Sequence, residues 1–332
     1  MTEKSAASIL SSRRWTKSIA AVAGALLLFL LIVAFYFSRE PDLFWVNRSA
    51  DPELAIVGVS TTDTLIRVAE TLLDKQGGYL SNDKMPPGVF LDNIPSWEFG
   101  VVVQLRDLGR VMRDDYTRSQ SQSKEDDDVA KGAPKFFFDN DSWIFPATES
   151  EYRAGIDYFI DYRSRLMEGD PDTQFYARAD NLREWLSQVE KRLGSLTRRL
   201  GNSVAANRIN DDLAGDSAAE AAGSQPDTVN VRTGWFQVDN VFFEARGTAW
   251  ALVHFFRAAE FDFARVISDK NSAASVRQII RELEASLEPL SSPIILNGGG
   301  YGLFANHSLV MANYLARANS AVINLRELLD QG

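Results

Sequence analysis

The chain has 332 residues, and 35 Lys and Arg against 45 Asp and Glu give it a formal net charge of −10. It contains no Cys and only two His, which excludes disulfides, Cys-ligated zinc, iron–sulfur clusters, thiol nucleophiles and three-His metal sites. Phosphate binding requires clustered Lys and Arg, so the acidic balance argues against a nucleic-acid partner. We expect a protein that carries no metal and no cofactor.

The first predicted element is a membrane-spanning helix over residues 19–37. The segment starts at Ile19 and contains neither a charge nor a Pro. As a helix it is roughly 28 Å long, which matches the hydrocarbon core of a bilayer. The alternative is a cleaved signal peptide, whose apolar part is usually about 7–15 residues long and is followed by small residues. This segment ends instead in Phe35, Tyr36 and Phe37, so we expect a retained anchor in contact with lipid.

The flanking charges predict the orientation of this helix. Only Arg39 and Arg48 follow it closely, whereas four cations precede it: Lys4, Arg13, Arg14 and Lys17. The positive-inside rule then places residues 1–18 in the cytoplasm as a tail and everything after the helix on the other side of the inner membrane. We expect residues 38–59 to be a juxtamembrane linker and residues 60–332 to be a periplasmic domain.

Three of the following segments combine helix start signals, stop signals and apolar periodicity. The first covers residues 61–76, with Ser60 or Thr61 as its cap. The second begins at Ser96 and continues to about residue 119, and the third covers residues 148–169. Two polar, small-residue-rich segments, near 119–134 and 214–230, predict disordered surface loops because they cannot offset their ordering entropy.

Apolar residues alternate at spacings of four and three along three later segments, which predicts heptad-type packing. The seams are Phe175, Ala179, Leu182, Leu186, Val189, Leu193, Leu196 and Leu200; Val276, Ile280, Leu283, Leu287 and Leu290; and Met311, Leu315, Ala318, Val322, Leu325 and Leu329. Several helices with such seams are typical of an antiparallel bundle with small crossing angles. We therefore predict an all-α fold: an N-terminal transmembrane helix followed by an antiparallel helical bundle.

Residues 238–268 predict a central helix, because apolar residues occupy nearly all of its sides. Charged residues that interrupt it must be paired if they are buried. Arg257 and Glu260 are three residues apart, as are Asp262 and Arg265, so local ion pairs are available. A polar ligand pocket that includes Glu244 and Arg257 is the alternative.

The two histidines and a glycine run are further candidate site residues. His254 lies inside the apolar helix, and we expect a hydrogen-bonded core histidine. His307 starts the last predicted helix, where it is either a packing or capping residue or a general acid–base. Before it, a run that includes Gly299 and Gly300 could bind phosphate through backbone N–H groups, with Asn306 as the helix cap. The Lys and Ser/Thr of a P-loop are missing, so we expect a tight loop or hinge.

One part of the sequence must be compared with a class of enzymes that acts on peptidoglycan. Glu284 and Glu288 lie near a helix end, and Gly302-Leu303-Phe304-Ala305 follows. This order resembles soluble lytic transglycosylases, in which a catalytic Glu at a helix end precedes Gly-Leu-Met-Gln. Pro289 stands where that class has Ser after the Glu, and Phe304-Ala305 replace Met-Gln. A peptidoglycan glycosidase that uses Glu284 or Glu288 therefore remains the alternative to a non-enzymatic protein.

Three motifs carry a resemblance to a family. Their sequences are LSNDKMPPG at 80–88, NIPSWEFG at 93–100 and WFQVDNVFFEARG at 235–247. With the single N-terminal span, they resemble a family of bacterial inner-membrane proteins of unknown function. The resemblance implies a topology and no catalytic residue.

We thus expect a membrane-anchored periplasmic protein that acts as an envelope scaffold or as a partner-binding accessory subunit of a membrane complex. Its partner would be another protein or a second copy of the chain. A periplasmic ligand-binding sensor is a further alternative. The apolar runs Phe136-Phe137-Phe138 and Trp143-Ile144-Phe145 could contact a partner or the membrane, although we expect most of them to pack against the bundle.

Overall fold

A computed structural model describes residues 3–46, 56–120, 123–204, 206–209, 228–231, 233–234, 237–292, 294–299 and 303–331. Ten α-helices occur in these ranges, and a five-residue π-turn, Met112–Tyr116, continues the third of them. The helices are α1 Glu3–Phe37, α2 Val59–Asp74, α3 Asn93–Val111, α4 Asp127–Lys135, α5 Thr148–Glu168, α6 Ala179–Gly201, α7 Val238–Asp262, α8 Ala264–Asp269, α9 Ala273–Ser286 and α10 His307–Asp330. The predicted all-α class is confirmed for the described residues.

The N-terminal helix α1 stands apart from the bundle. Within it, Lys17–Phe37 is long and apolar enough to cross a membrane, and this stretch is not buried by the rest of the chain. The helix begins earlier than the predicted span, at Glu3, so most of the predicted tail is helical. Its last turn contacts the domain, where the Phe37 ring lies against Gly77 and leaves no room there for a side chain.

Helix α7 is the centre of the bundle, as predicted, and α2, α3, α6, α9 and α10 all pack against it. Its closest neighbour is α3. A Cβ at Gly247 would overlap the carbonyl oxygen of Trp97, and a Cβ at Gly100 would overlap that of Glu244. The two glycines therefore let the backbones of α3 and α7 approach more closely than any side chain would allow.

The heptad seams form the second half of the bundle. Their residues are buried along α6 and α10, which pack against each other, and α9 packs on α10. Ion pairs join Arg183 to Asp330 and Arg326 to Glu190. The start of α6 therefore lies beside the end of α10, and the two helices are antiparallel, as the spacing predicts.

One end of the bundle collects the connections that surround the end of α1, and we call it the α1 end. The C-terminus of α2 is there, because Gly77 touches Phe37. The start of α5 is there as well, because Arg153 pairs with Asp74. The starts of α3, α7 and α10 and the ends of α6 and α9 lie at the same end of the bundle. Four contacts show this: Glu98 with Leu80, Arg199 with Glu244, Arg246 with Ser286, and His307 with Phe242.

Several local predictions were wrong. The predicted loop near 119–134 contains α4, because the Asp126 carboxylate caps that helix by accepting N–H bonds from Asp128 and Val129. Most of the second loop, near 214–230, lies outside the described residues, but Thr228–Val231 is a strand that pairs antiparallel with Ala206–Ile209. Helix α3 starts three residues before Ser96, so that residue is not its cap.

We expect Gly247→Ala to lower the free energy of unfolding by roughly 1–3 kcal/mol, because α3 and α7 must separate to admit the methyl group. The matched control is Gly194→Ala on α6, where a Cβ would meet its nearest neighbour at an ordinary 3.7 Å. Urea unfolding of the detergent-solubilised protein measures both. Equal stability of the two variants would contradict the close α3–α7 contact.

Candidate functional site

Residues 38–46, which follow α1 directly, are bound along α7, and we call them the strap. Their main anchor is Glu40, whose carboxylate accepts three hydrogen bonds of 2.8–2.9 Å from the Arg246 guanidinium. Both side chains are largely buried, with 18% and 7% exposed. Arg246 also donates to the carbonyls at the end of α9, on Ser286, Leu287 and Glu288, at 3.1–3.2 Å. One guanidinium therefore joins the strap, α7 and the C-terminus of α9.

The strap is fixed a second time by His254. Its Nε2 accepts a 3.1 Å hydrogen bond from the Phe44 N–H, and its Nδ1 lies 2.7 Å from the carbonyl of Trp250. These partners require the neutral tautomer with the proton on Nδ1. The Phe44 ring stacks on the imidazole at 3.8 Å between centroids. Burial lowers the pKa of His254 to about 3, and Arg257 and Arg67 act in the same direction.

Two arginines close the outer side of the strap. Arg67 of α2 donates to the carbonyl of Trp45 at 3.1 Å and lies 4.1 Å above the Phe44 ring. Arg257 donates to the Phe44 carbonyl at 3.2 Å and pairs with Glu284 at 2.7 Å. The strap is thus held by side chains of α2 and α7 along most of its length. The predicted linker 38–59 is therefore part of the domain as far as residue 46, and residues 47–55 lie outside the described part.

The first two family motifs meet at a fully buried ion pair. Glu98 of the second motif accepts 2.8 Å hydrogen bonds from the N–H groups of Leu80 and Ser81 in the first, and it pairs with Lys75. Asn82 donates to the carbonyl of Ser142 at 2.9 Å and to Glu149 at 2.7 Å. These motif residues hold the connections at the α1 end in place, so their role in the structure is architectural.

The predicted catalytic residues do not converge on one point. Glu284 pairs with Arg257. Glu288 and His307 both line a cleft of about 460 Å³ whose other walls include Phe242 and Met311. Nδ1 of His307 accepts a 3.2 Å bond from the Leu296 N–H. Asn306 caps α10 at Leu309, as predicted.

The predicted ligand-binding residues are also separated. Glu244 forms a two-pronged pair with Arg199, at 2.7 Å for both bonds, and borders another cleft of about 390 Å³. Arg257 binds the strap through the Phe44 carbonyl. A Cβ at Gly299 would meet no atom within 4 Å. Gly300 lies outside the described residues. In the part of the chain that the structure describes, no cluster of His, Asp or Glu could hold a metal ion.

The expected local ion pairs of α7 do not form. Arg257 reaches Glu284 and the strap instead of Glu260. Asp262 accepts N–H bonds from Gly58 at 2.9 Å and Thr61 at 2.6 Å, so it caps α2 in place of the predicted Ser60 or Thr61. Because Glu284 is 27 residues from Arg257 and the other partners are more than 200 residues away in sequence, local spacing could not reveal them.

The strap itself was missed as a site. Its sequence signal is the Phe44-Trp45 pair together with Glu40, and an aromatic pair just after a membrane span is equally typical of an interfacial aromatic belt. An acidic residue three positions after a membrane span is uninformative until a buried arginine is known to face it. The partner, Arg246, stands in the third family motif.

The fold and this site define an α-helical bundle protein with one N-terminal helix of membrane-spanning length, whose end is bound to the bundle core. Residues 9–332 match the family described as "Uncharacterized protein conserved in bacteria (DUF2333)". The chain belongs to this family, which confirms the resemblance carried by its motifs. No curated protein and no solved structure matches it significantly.

We expect Arg246→Lys to destabilise the protein by about 2–4 kcal/mol, because one ammonium cannot serve both Glu40 and the three carbonyls. The control is Arg183→Lys, whose pair with Asp330 is about half exposed and should change stability by less than about 1 kcal/mol. Thermal unfolding in detergent measures both. A loss no larger than that of the control would show that the strap contact adds little to stability.

Stability should depend on pH through His254. Its pKa is depressed in the fold, so below the ordinary value of 6.5 the unfolded chain binds a proton that the folded chain does not. Stability therefore falls as the pH drops below about 6.5, by up to roughly 1 kcal/mol per unit. His254→Gln removes this contribution. We expect the wild-type and variant unfolding curves to differ in pH slope between 6.5 and 5; parallel curves would contradict the assignment.

Proposed function

We propose that the protein is a non-enzymatic, single-span component of the bacterial inner membrane. In this proposal α1 crosses the membrane with its N-terminus in the cytoplasm, and the helical bundle lies in the periplasm. The bundle acts as an envelope scaffold or as a partner-binding accessory subunit of a membrane complex. The excess of cations before the span supports the orientation.

The observation that carries the proposal is the bound strap. Residues 40–45 engage Arg246, His254, Arg257 and Arg67, so the chain has no free linker directly after the helix. A signal peptidase needs an accessible, extended segment with small residues at this point. Here the segment is occupied by the fold, and Phe37 itself packs against Gly77. These contacts favour a retained anchor whose span is rigidly coupled to the bundle.

The buried charges support a structural role. Glu98, Asp262 and Arg246 all bind backbone groups at helix ends or turns. A catalytic carboxylate needs an oxygen free for substrate, and both oxygens of Glu98 and Asp262 are occupied. One specific observation favours a second candidate function: Glu288 and His307 share the 460 Å³ cleft, which could accept a ligand or a glycan strand.

Single-cysteine labelling tests the topology, because the natural chain has no Cys. We expect Asp172→Cys, in an exposed turn, to react with a membrane-impermeant maleimide once the outer membrane of a Gram-negative host is permeabilised. Ser5→Cys should react only after the inner membrane is lysed, because the tail is cytoplasmic. The protein should keep its full length. The reverse pattern, or a shortened product, would contradict the anchor.

The role is tested in the same membranes. Crosslinking followed by purification in mild detergent should recover the protein with a stoichiometric partner or as an oligomer; a lone monomer would contradict the scaffold. Peptidoglycan release by the wild type should equal that of a Glu284→Gln, Glu288→Gln double variant. Release that the double variant loses would establish the glycosidase instead.

A further inference from the structure

The exposed apolar side chains of the bundle are concentrated at the α1 end. Outside α1, sixteen large apolar side chains are exposed among the described residues, and ten of them lie on the connections or first turn at this end. They are Met85, Val89, Phe90, Trp143, Ile144, Phe145, Ile294, Leu303, Phe304 and Val310. The opposite end carries three: Ile56, Val57 and Met167. The distribution is too uneven for random surface exposure.

One of the exposed groups is a short loop before α5. Its tip is Trp143, Ile144 and Phe145, and the Phe145 side chain is 95% exposed. The base of the loop is closed by a 3.1 Å bond from the Thr148 N–H to the Ser142 carbonyl and a 2.9 Å bond from the Ser142 hydroxyl to the Pro146 carbonyl. The expected packing of this run against the bundle was therefore wrong, whereas Phe136 before it is buried as expected.

Hydrogen bonds place this loop beside the end of α1. Gly77 touches Phe37, and two residues later the Tyr79 hydroxyl donates to the carbonyl of Asn140 at 2.8 Å. Asn82 then holds the Ser142 carbonyl. Met85, Val89 and Phe90 follow on the same connection, and Val89 and Asn140 border one cleft. Two of the apolar loops are thus neighbours and lie a few residues from the last turn of the span.

The third group lies around the glycine run on the other side of Arg246. Leu303 and Phe304 are exposed, and Val310 borders the same cleft as Arg246. Since Arg246 binds Glu40, three residues after the end of α1, this group also surrounds the point where the span leaves the domain. The three groups therefore flank the end of α1.

We propose that the α1 end rests on the bilayer, with these three apolar groups inserted into its lipid interface. The inference depends on the proposed function, since it requires α1 to span the membrane. Trp is enriched at membrane interfaces, and Trp, Phe and Leu form the apolar face of segments that lie in the interface, where their apolar surface leaves water. A lipid surface fits better than a protein groove because the three groups are separate loops that share only their position around the span.

Because the chain has no Cys, a single introduced Cys can be labelled in the full-length protein to measure how deeply that position lies in the bilayer. Single-cysteine variants Phe145→Cys, Phe304→Cys, Val22→Cys and Met167→Cys carry an environment-sensitive fluorophore in vesicles of phosphatidylethanolamine and phosphatidylglycerol that contain doxyl-labelled acyl chains. Met167 is the matched control, because it is an exposed apolar residue at the opposite end. Val22 lies inside the span.

We expect strong quenching at position 22, clear quenching with a blue shift at positions 145 and 304, and none at 167. Quenching at 22 with none at 145 and 304 would overturn this inference and leave the anchor intact. No quenching at 22 would contradict the anchor itself. The fluorophores at positions 145 and 304 could instead be shielded from water without being quenched by the labelled lipids. If energy transfer then shows contact between labelled copies, the surface binds a second chain and the proposal fails.

Discussion

The bidentate contact between Arg246 and Glu40 is the interaction on which the rest of the architecture depends. The guanidinium is largely buried at the α1 end of the bundle, where an unpaired charge would be very costly. Its partner comes from the strap and its remaining donors satisfy the last carbonyls of α9. One side chain thereby couples the position of the span to those of α7 and α9, so a displacement of any one of them disturbs the contacts of the other two.

The buried charges share one use, which is to satisfy backbone hydrogen-bonding groups. Glu98 satisfies the N–H groups of a turn, Asp262 satisfies those at the start of α2, and Arg246 satisfies carbonyls at the end of α9. Helix ends and turns leave backbone groups without partners, and burying them demands a tertiary cap. Buried helix ends and turns in this bundle therefore need side chains with strong hydrogen-bonding groups at fixed positions.

The sequence predicted what depends on local periodicity. The heptad seams of α6, α9 and α10 and the all-round apolar character of α7 determined the fold class, because burial follows directly from spacing. The site could not be predicted, since Arg246 meets Glu40 across 206 residues and Asp262 meets Gly58 across 204. The helix α4 was missed for a related reason: its cap, Asp126, lies in an acidic run whose composition alone indicates disorder.

A bound strap changes what the span can do. A flexible linker would let the bundle rotate freely above the membrane, and its surface loops would meet lipid only by chance. Here the chain passes from Phe37 into contacts with α2 and α7 within a few residues, so the same end of the bundle always follows the span. In the proposed topology, the exposed Trp and Phe side chains at that end act near the membrane at a high effective concentration. Each loop needs little affinity of its own, because the strap has already restricted the position of the domain.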